Sequence, residues 1–257
     1  MRSEHAGVLT LTLNRPEKLN AFTVELTAGL NEALAYAERE SAVRVVMLRG
    51  SGRGFSSGQD LEEFAALKAS SSRFSVAEHL RRGFNPAVMK IRTLEKPVIA
   101  ALNGVSAGVG LSLALACDLR VASDDVVITL GFSKIGLIPD GGACLFLPLL
   151  AGFGRGLELA WASERIDAYE AHRLGIVNRV VTAPTFHDEA VAYAESFTHI
   201  SAAALALTKR AFNRSMLPNL AAWLDEEAQL QDEAAAGPDL MEGIRAFAEK
   251  RKPAFAR

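Results

Sequence analysis

Residues Gly7 to Asn14 alternate apolar and polar side chains, the period-two pattern of a half-buried strand. After the loop Arg15-Pro16-Glu17-Lys18 the period changes. Leu26, Leu30, Leu34 and Ala37 recur at helical spacing and Thr23 stands where an N-cap belongs, which predicts a helix to about Arg39. Val43 to Leu48 reads as an apolar strand. The glycine-rich loop Gly50 to Gly54 follows, with a surface connection as its simplest role. Leu61 to Ser75 is polar and serine-rich at its end, which predicts a mobile segment. A helix over about Val76 to Thr93 is expected to bend near Asn85-Pro86. Strands are predicted at Val98–Leu102, Leu119–Ala122 and Val126–Ile128. Between the first two lie the turn signal Asn103-Gly104, the glycines Gly108 and Gly110, and the continuous apolar run Leu111 to Ala116, which predicts a helix buried all round. Asp167 and Glu170 have capping-box spacing, Gly175 fits the matching stop, and Ile176 to Val181 reads as a short strand. From Pro184 the pattern is helical, punctuated by Pro218 and Pro238. Ala221, Leu224, Ala228 and Leu230, then Leu240, Ile244 and Phe247, mark apolar stripes that can pack on the core or on another subunit.

The recurring order strand, strand, helix suggests an α/β spiral of stacked turns more than a doubly wound sheet. Composition narrows the class without choosing the chemistry. The 257 residues, 49% apolar and 23% charged, suit one domain of substantial core. A net charge of −2 argues against a nucleic-acid partner, and no apolar run is long enough to cross a membrane. The N-terminus MRSEHAG lacks an apolar signal region. Cys117 and Cys144 are expected as free thiols in a reducing, cytoplasmic setting. The five histidines are scattered and no zinc spacing occurs, so no metal is expected.

Candidate chemistry gathers between Lys96 and Gly142. A glycine-rich turn that opens a helix presents unpaired N–H groups and a positive dipole end, which can hold an anion or a carbonyl oxygen becoming one. A plain core turn accounts for the same glycines. Gly104-Val105-Ser106-Ala107-Gly108 also matches the nucleophile elbow of serine hydrolases, with Asp140 and then His172, His187 or His199 following in order. Asp140 itself reads either as a catalytic carboxylate or as the N-cap of a helix after Gly141.

Six motifs in order decide among these. LNRPEKLNAF (Leu13–Phe22), GRGFSSGQDL (Gly52–Leu61), KPVIAALNGVSAGVG (Lys96–Gly110), ACDLRVAS (Ala116–Ser123), GLIPDGG (Gly136–Gly142) and EGIRAFAEKRKPAF (Glu242–Phe255) resemble the crotonase (enoyl-CoA hydratase/isomerase) superfamily nearly end to end. A hydrolase does not explain the other motifs, and Ser106 becomes a small turn residue. The resemblance implies a spiral of ββα turns over residues 1–195 and a C-terminal helical trimerisation region over 196–257. It implies an acyl-CoA thioester as substrate, no permanently bound cofactor, coenzyme A as part of the substrate, and a homotrimer or dimer of trimers. It assigns an oxyanion hole to the N–H groups of Gln59 and Val109, a β-branched side chain at the latter narrowing the slot. Ser57, Gly58, Asp60, Gly108 and Phe132 are assigned to substrate binding by the same motifs, with the acyl end near Gln59, Val109 and Asp140. Lys18, Phe247 and Lys250 are assigned to the nucleotide end, the last two from the same or a neighbouring chain.

The family's hydratases use two glutamates, and those positions hold Ser112 and Phe132 here. The remaining carboxylate is Asp140. An aspartate there is similar to the ring-epoxyphenylacetyl-CoA isomerases of phenylacetate breakdown and to related Δ3,Δ2-enoyl-CoA isomerases, as are Gly58-Gln59-Asp60, Phe84-Asn85-Pro86 and the block FSKIGLIPD. One carboxylate suits proton transfer between two carbons of one substrate. An acyl-CoA isomerase is therefore expected, with an enoyl-CoA hydratase or a CoA-thioester binding protein of little turnover as alternatives. The acyl group is left open, because it depends on the poorly matched segment Glu62–Gly83.

Overall fold

The computed structural model describes residues 1–70 and 74–255. Strand β1 (Arg2–His5) is exposed at every position and pairs antiparallel with β2 (Val8–Leu13), whose Leu9, Leu11 and Leu13 point into the core. The polar N-terminus carries no apolar alternation, so β1 has no signal of its own and exists by pairing. Helix α1 (Val24–Arg39) starts as its cap predicts, with Thr23 Oγ1 accepting from the Leu26 N–H at 3.1 Å, and buries Leu30, Leu34 and Ala37. Strand β3 (Val45–Gly50) runs parallel to β2, and the glycine-rich loop then leads into β4 (Gly54–Ser56).

Leu61–Ser70, expected to be mobile, is helix α2; the other part of that expectation falls partly on residues 71–73, outside the described residues. The single bent helix expected next is two helices, α3 (Val76–Arg82) and α4 (Phe84–Thr93), broken at Gly83. Pro86 falls in the first turn of α4, where its missing N–H costs no intrahelical bond. Strand β5 (Val98–Leu102) is buried at all five positions, which is why it reads as an unbroken apolar run. Strand β6 (Val105–Ala107) and helix α5 (Gly108–Ala116) follow, then β7 (Leu119–Ser123) and β8 (Val127–Thr129). A 3₁₀ turn spans Phe132–Ile135, and helices α6 (Ala143–Ala151) and α7 (Phe153–Ala162) come after the Asp140 loop.

Strand β9 (Ile166–Asp167) leads into α8 (Ala168–Arg173). Asp167 caps α8 by accepting from the Glu170 N–H at 2.8 Å, but the capping box is only half made: Glu170 turns its carboxylate to Arg155 and Arg173. Strand β10 (Arg179–Val181) closes a six-stranded sheet in the order β1-β2-β3-β5-β7-β10, and the short strands form a second sheet, β4-β6-β8-β9. Each pair β3/β4, β5/β6 and β7/β8 thus gives one strand to each sheet before the chain moves on, which is the stacked spiral. The small-sheet strands are two or three residues long, too short for any period to show. Val45, Met47, Ile99, Ala101 and Val121 face the opposite way from the main core and are covered by Phe186, Ala190 and Ala194 of α9 (Phe186–Ser196).

Three helices complete the chain: α10 (Ala202–Met216), α11 (Leu220–Ala236) and α12 (Asp239–Ala248). Helix α11 lies on the core. Asp232 accepts from the N–H groups of Val76 and Ala77 at 2.6 and 3.1 Å, capping α3 from across the molecule, and the Leu224 carbonyl accepts from Asn85 Nδ2 at 3.1 Å. Its stripe differs from the one expected. Leu224 and Ala228 are buried, Ala221 and Leu230 are exposed, and the rest of the buried face carries Glu227 and Gln231. On α12, Leu240 and Ile244 are buried, while Phe247 is 66% exposed in the single chain.

Candidate active site

Strands β4 and β6 run parallel, and each leads into a glycine with positive φ, Gly58 at 99° and Gly108 at 52°. The two glycines touch. A Cβ on Gly108 would lie 3.4 Å from Gly58 Cα, and one on Gly58 would lie 3.1 Å from the Ala107 carbonyl oxygen. This contact brings together the residues that follow, Gln59 and Val109. Phe22 bridges to Gln59 in parallel register: the Phe22 N–H donates to Gly58 O at 2.7 Å, and the Asp60 N–H donates to Phe22 O at 2.8 Å. That pattern turns the N–H of Gln59 itself away from Phe22. Val109 is the second residue of α5, so its N–H belongs to the first turn, where no intrahelical acceptor exists. Two main-chain donors therefore stand on touching turns, one at the positive end of a helix dipole. Such a pair can stabilise negative charge as it develops on an oxygen.

Asp140 stands beside them. The next residue, Gly141, packs on α5: a Cβ there would lie 3.1 Å from Ser112 Cβ and 3.4 Å from Val109 Cγ2. Asp140 is 6% exposed. Its Oδ2 accepts from Gln231 Nε2 at 2.8 Å, while Oδ1 is buried without a partner among the described residues. Burial pushes its pKa up to about 7, and the Gln231 hydrogen bond pulls back against that rise. Asp140 is not the cap of the following helix. The N–H groups of Gly142 and Cys144 donate instead to the carboxylate of Glu227, at 2.7 and 3.1 Å. Burial pushes Glu227 up to about 8, and the charge of Asp140 adds to the rise. Glu227 and Gln231 escaped the sequence reading. Their signal was there: they share the three-and-four spacing of Leu224, Ala228 and Ala235, polar residues set into an apolar stripe.

A third missed residue is His79 on α3, within the poorly matched segment Glu62–Gly83. It packs against the rings of Phe64, Phe74 and Phe84 at 6.0, 6.1 and 6.1 Å, and its Nε2 lies 3.3 Å from Gln59 Oε1. Burial lowers its pKa, which favours the neutral imidazole.

The remaining expected residues divide between the site and its frame. Ser112 is buried, its Oγ donating to Gly108 O at 3.3 Å, and Phe132 is 6% exposed. Leu130 O accepts from the Gly108 N–H at 3.1 Å, which ties the segment carrying Phe132 to the turn that opens α5. Neither position offers a carboxylate. Asp60 is occupied by structure: Arg15 donates to its Oδ2 at 2.9 Å, and the N–H groups of Glu62 and Glu63 donate to Oδ1, capping α2. Burial raises the Asp60 pKa, but the Glu63 N–H and Arg15 outweigh it and hold the group below the usual carboxylate range. Ser57 Oγ donates to Lys18 O at 3.2 Å, and Lys18 Nζ pairs with Glu62 at 2.9 Å on the surface. Phe247 and Lys250 are exposed at the end of α12, a helix whose Gly243 lies against Ile135 of the 3₁₀ turn. Ser106 is fully buried in β6 and its Oγ donates to Gly104 O at 3.1 Å, so it presents no nucleophile. Cys117 and Cys144 are free thiols. Among the described residues no group of three or more His, Cys, Asp or Glu could hold a metal, and no helix is long and apolar enough to cross a membrane.

A spiral of strand–strand–helix turns that sets two main-chain donors beside a buried carboxylate defines a crotonase-fold enzyme. Residues 3–257 match the family described as enoyl-CoA hydratase/isomerase, and the chain belongs to that family, which acts on acyl-CoA thioesters. It is 39% identical to the 1,2-epoxyphenylacetyl-CoA isomerase of Escherichia coli K12, over 97% of this chain and 95% of that protein. It is 37% identical to a probable enoyl-CoA hydratase of Rhodobacter capsulatus, over 97% and 94% of the two chains. Among solved structures, an enoyl-CoA hydratase from Mycobacterium avium subsp. paratuberculosis is similar with a TM-score of 0.90 at 36% identity, covering 100% of this chain and 98% of that one.

Proposed function

We propose that this protein is an acyl-CoA isomerase that moves a proton between carbons of a CoA thioester through an enolate. Asp140 Oδ1 takes the proton from the carbon beside the thioester. The N–H groups of Gln59 and Val109 hold the thioester oxygen as it becomes negative, and the carbon further along receives the proton back from the same carboxyl. The observation that carries this reading is the state of Asp140: buried, held by one oxygen, free at the other, with a proton affinity raised to near neutrality. Its neighbour Ser112 stands where a hydratase glutamate would be, and Phe132 occupies the other such position.

Glu227 is the second carboxylate near Asp140 and favours hydration as the other reading, because two carboxylates can hold a water. Against it, both oxygens of Glu227 already accept main-chain N–H groups. The proposal includes a trimer or a pair of trimers in the cytoplasm. The nucleotide end of the CoA group meets Lys18, Phe247 and Lys250, the last two from the same or a neighbouring chain.

The test is a panel of acyl-CoA thioesters incubated in heavy water and followed by mass spectrometry. Deuterium uptake without gain of water is expected, with weak or absent hydration of crotonyl-CoA. Asp140→Asn should lose roughly a hundred- to ten-thousand-fold in turnover. Hydration at the rate of an efficient hydratase, or Asp140→Asn turnover above a tenth of wild type (an order-of-magnitude threshold set by the same range), would overturn the reading.

A further inference from the structure

We infer that Gln231 is a positioning residue for proton transfer: by occupying one oxygen of Asp140 it fixes which oxygen moves the proton. The inference rests on Asp140 being the acid/base. The amide of Gln231 has no rotational freedom left. Its Oε1 accepts from the Ile138 N–H at 3.0 Å and its Nε2 donates to the Ile138 carbonyl at 2.7 Å. The Ile138 N–H requires an acceptor, which sets the amide orientation, so the second Nε2 hydrogen is aimed at Asp140 Oδ2, 2.8 Å away. Gln231 is itself fully buried, so no water competes for that hydrogen. With Oδ2 taken, Oδ1 is the atom left to exchange a proton with substrate.

The neutrality of the donor also matters. A lysine or arginine here would drive the carboxyl far down and leave too weak a base, whereas an apolar side chain would leave burial unopposed. An amide lies between these limits. Among the described residues, the titratable groups that feel the charge of Asp140 are Glu227 on α11 and Cys144 on α6, while α5 brings the uncharged Val109 and Ser112 against Gly141. The charge of Asp140 raises the proton affinity of Glu227.

The experiment compares pH profiles of kcat and KM for wild type, Gln231→Met and Gln231→Glu, with a thermal melt of each. Methionine keeps the volume and removes the donor. The acid limb of kcat should then move up by about one pH unit, since hydrogen bonds to charged groups are the stronger ones. At pH 7 kcat should fall several-fold, KM should stay within about twofold, and part of the lost kcat should return at higher pH. Glutamate also adds a like charge, so its limb should move further in the same direction. An acid limb at the wild-type pH in either folded variant overturns the inference, as does a loss that no pH restores. Unfolding of both variants also overturns it, because the bonds to Ile138 would then be the whole role. Failure of the underlying reading is separable: it shows as turnover surviving in Asp140→Asn.

Discussion

At the scale of single residues, the proposed function and stability pull Asp140 in opposite directions. Its folded pKa lies above the value of an unfolded aspartate, so the fold prefers the neutral form. That preference contributes fully below pH 3.8, the ordinary value, and is lost as pH rises through about 7. Above pH 7 the enzyme carries the cost of a buried charge, at most about 4 kcal/mol at ~1.4 kcal/mol per pH unit. Asparagine removes the charge and keeps an acceptor for Gln231. Asp140→Asn should therefore melt about 5 °C or more above wild type at pH 8 and level with it at pH 4. Equal melting temperatures at pH 8 would show that the carboxylate is solvated after all. Val109 shows the same economy of position, because its side chain, expected to narrow the slot, has Cγ2 packed toward Gly141, while its N–H belongs to the helix start.

At the scale of elements, the proposed oxyanion hole depends on two backbones approaching where no Cβ intervenes. Gly58 combines a φ of 99° with a Cβ position only 3.1 Å from Ala107 O. Gly58→Ala should force the turns apart, lowering kcat at least tenfold, with a smaller change in KM, as expected when donors that act on developing charge are displaced. Kinetics indistinguishable from wild type would mean that these turns do not hold the reacting oxygen. On the far side of the site, Glu227 serves as the N-terminal cap that α6 lacks in its own sequence. Glu227→Ala leaves two N–H groups without acceptors and should destabilise the fold by roughly 2 kcal/mol or more. A denaturant midpoint unchanged from wild type would contradict that role.

For the whole molecule, α10 is a helix that the single chain leaves largely uncovered. It buries no residue completely and exposes Leu207, Phe212 and Met216. Large apolar side chains left in water on one helix suit contact with another subunit. Light scattering should report a trimer or hexamer at micromolar protein, and a stable monomer would refute the proposed assembly. Lys250→Ala should weaken CoA binding several-fold at low salt and leave kcat unchanged, because an exposed charge is worth little and is screened by ions. Unchanged affinity at low ionic strength would place the nucleotide end elsewhere.

Local pattern alone determined a good part of this protein. The cap at Thr23, the bounds of Val98–Leu102, the helix buried all round after Gly108 and the cap at Asp167 are properties of short stretches, and the structure forms them where their patterns stand. The ordered motifs also identified the family and showed Ser112 and Phe132 where its hydratases carry glutamates. Packing decided the rest. The small-sheet strands are too short to carry a period, and Leu61–Ser70 is a helix despite a composition that reads as mobile. The partner of Asp140 lies 91 residues away on a helix whose apolar stripe is right at Leu224 and Ala228 but whose buried face also takes in the polar Glu227 and Gln231. A periodic pattern records that a face is buried; it does not record what buries it. A carboxylate's proton affinity and free oxygen depend on that missing term, so the sequence named Asp140 and only the fold showed how it is held.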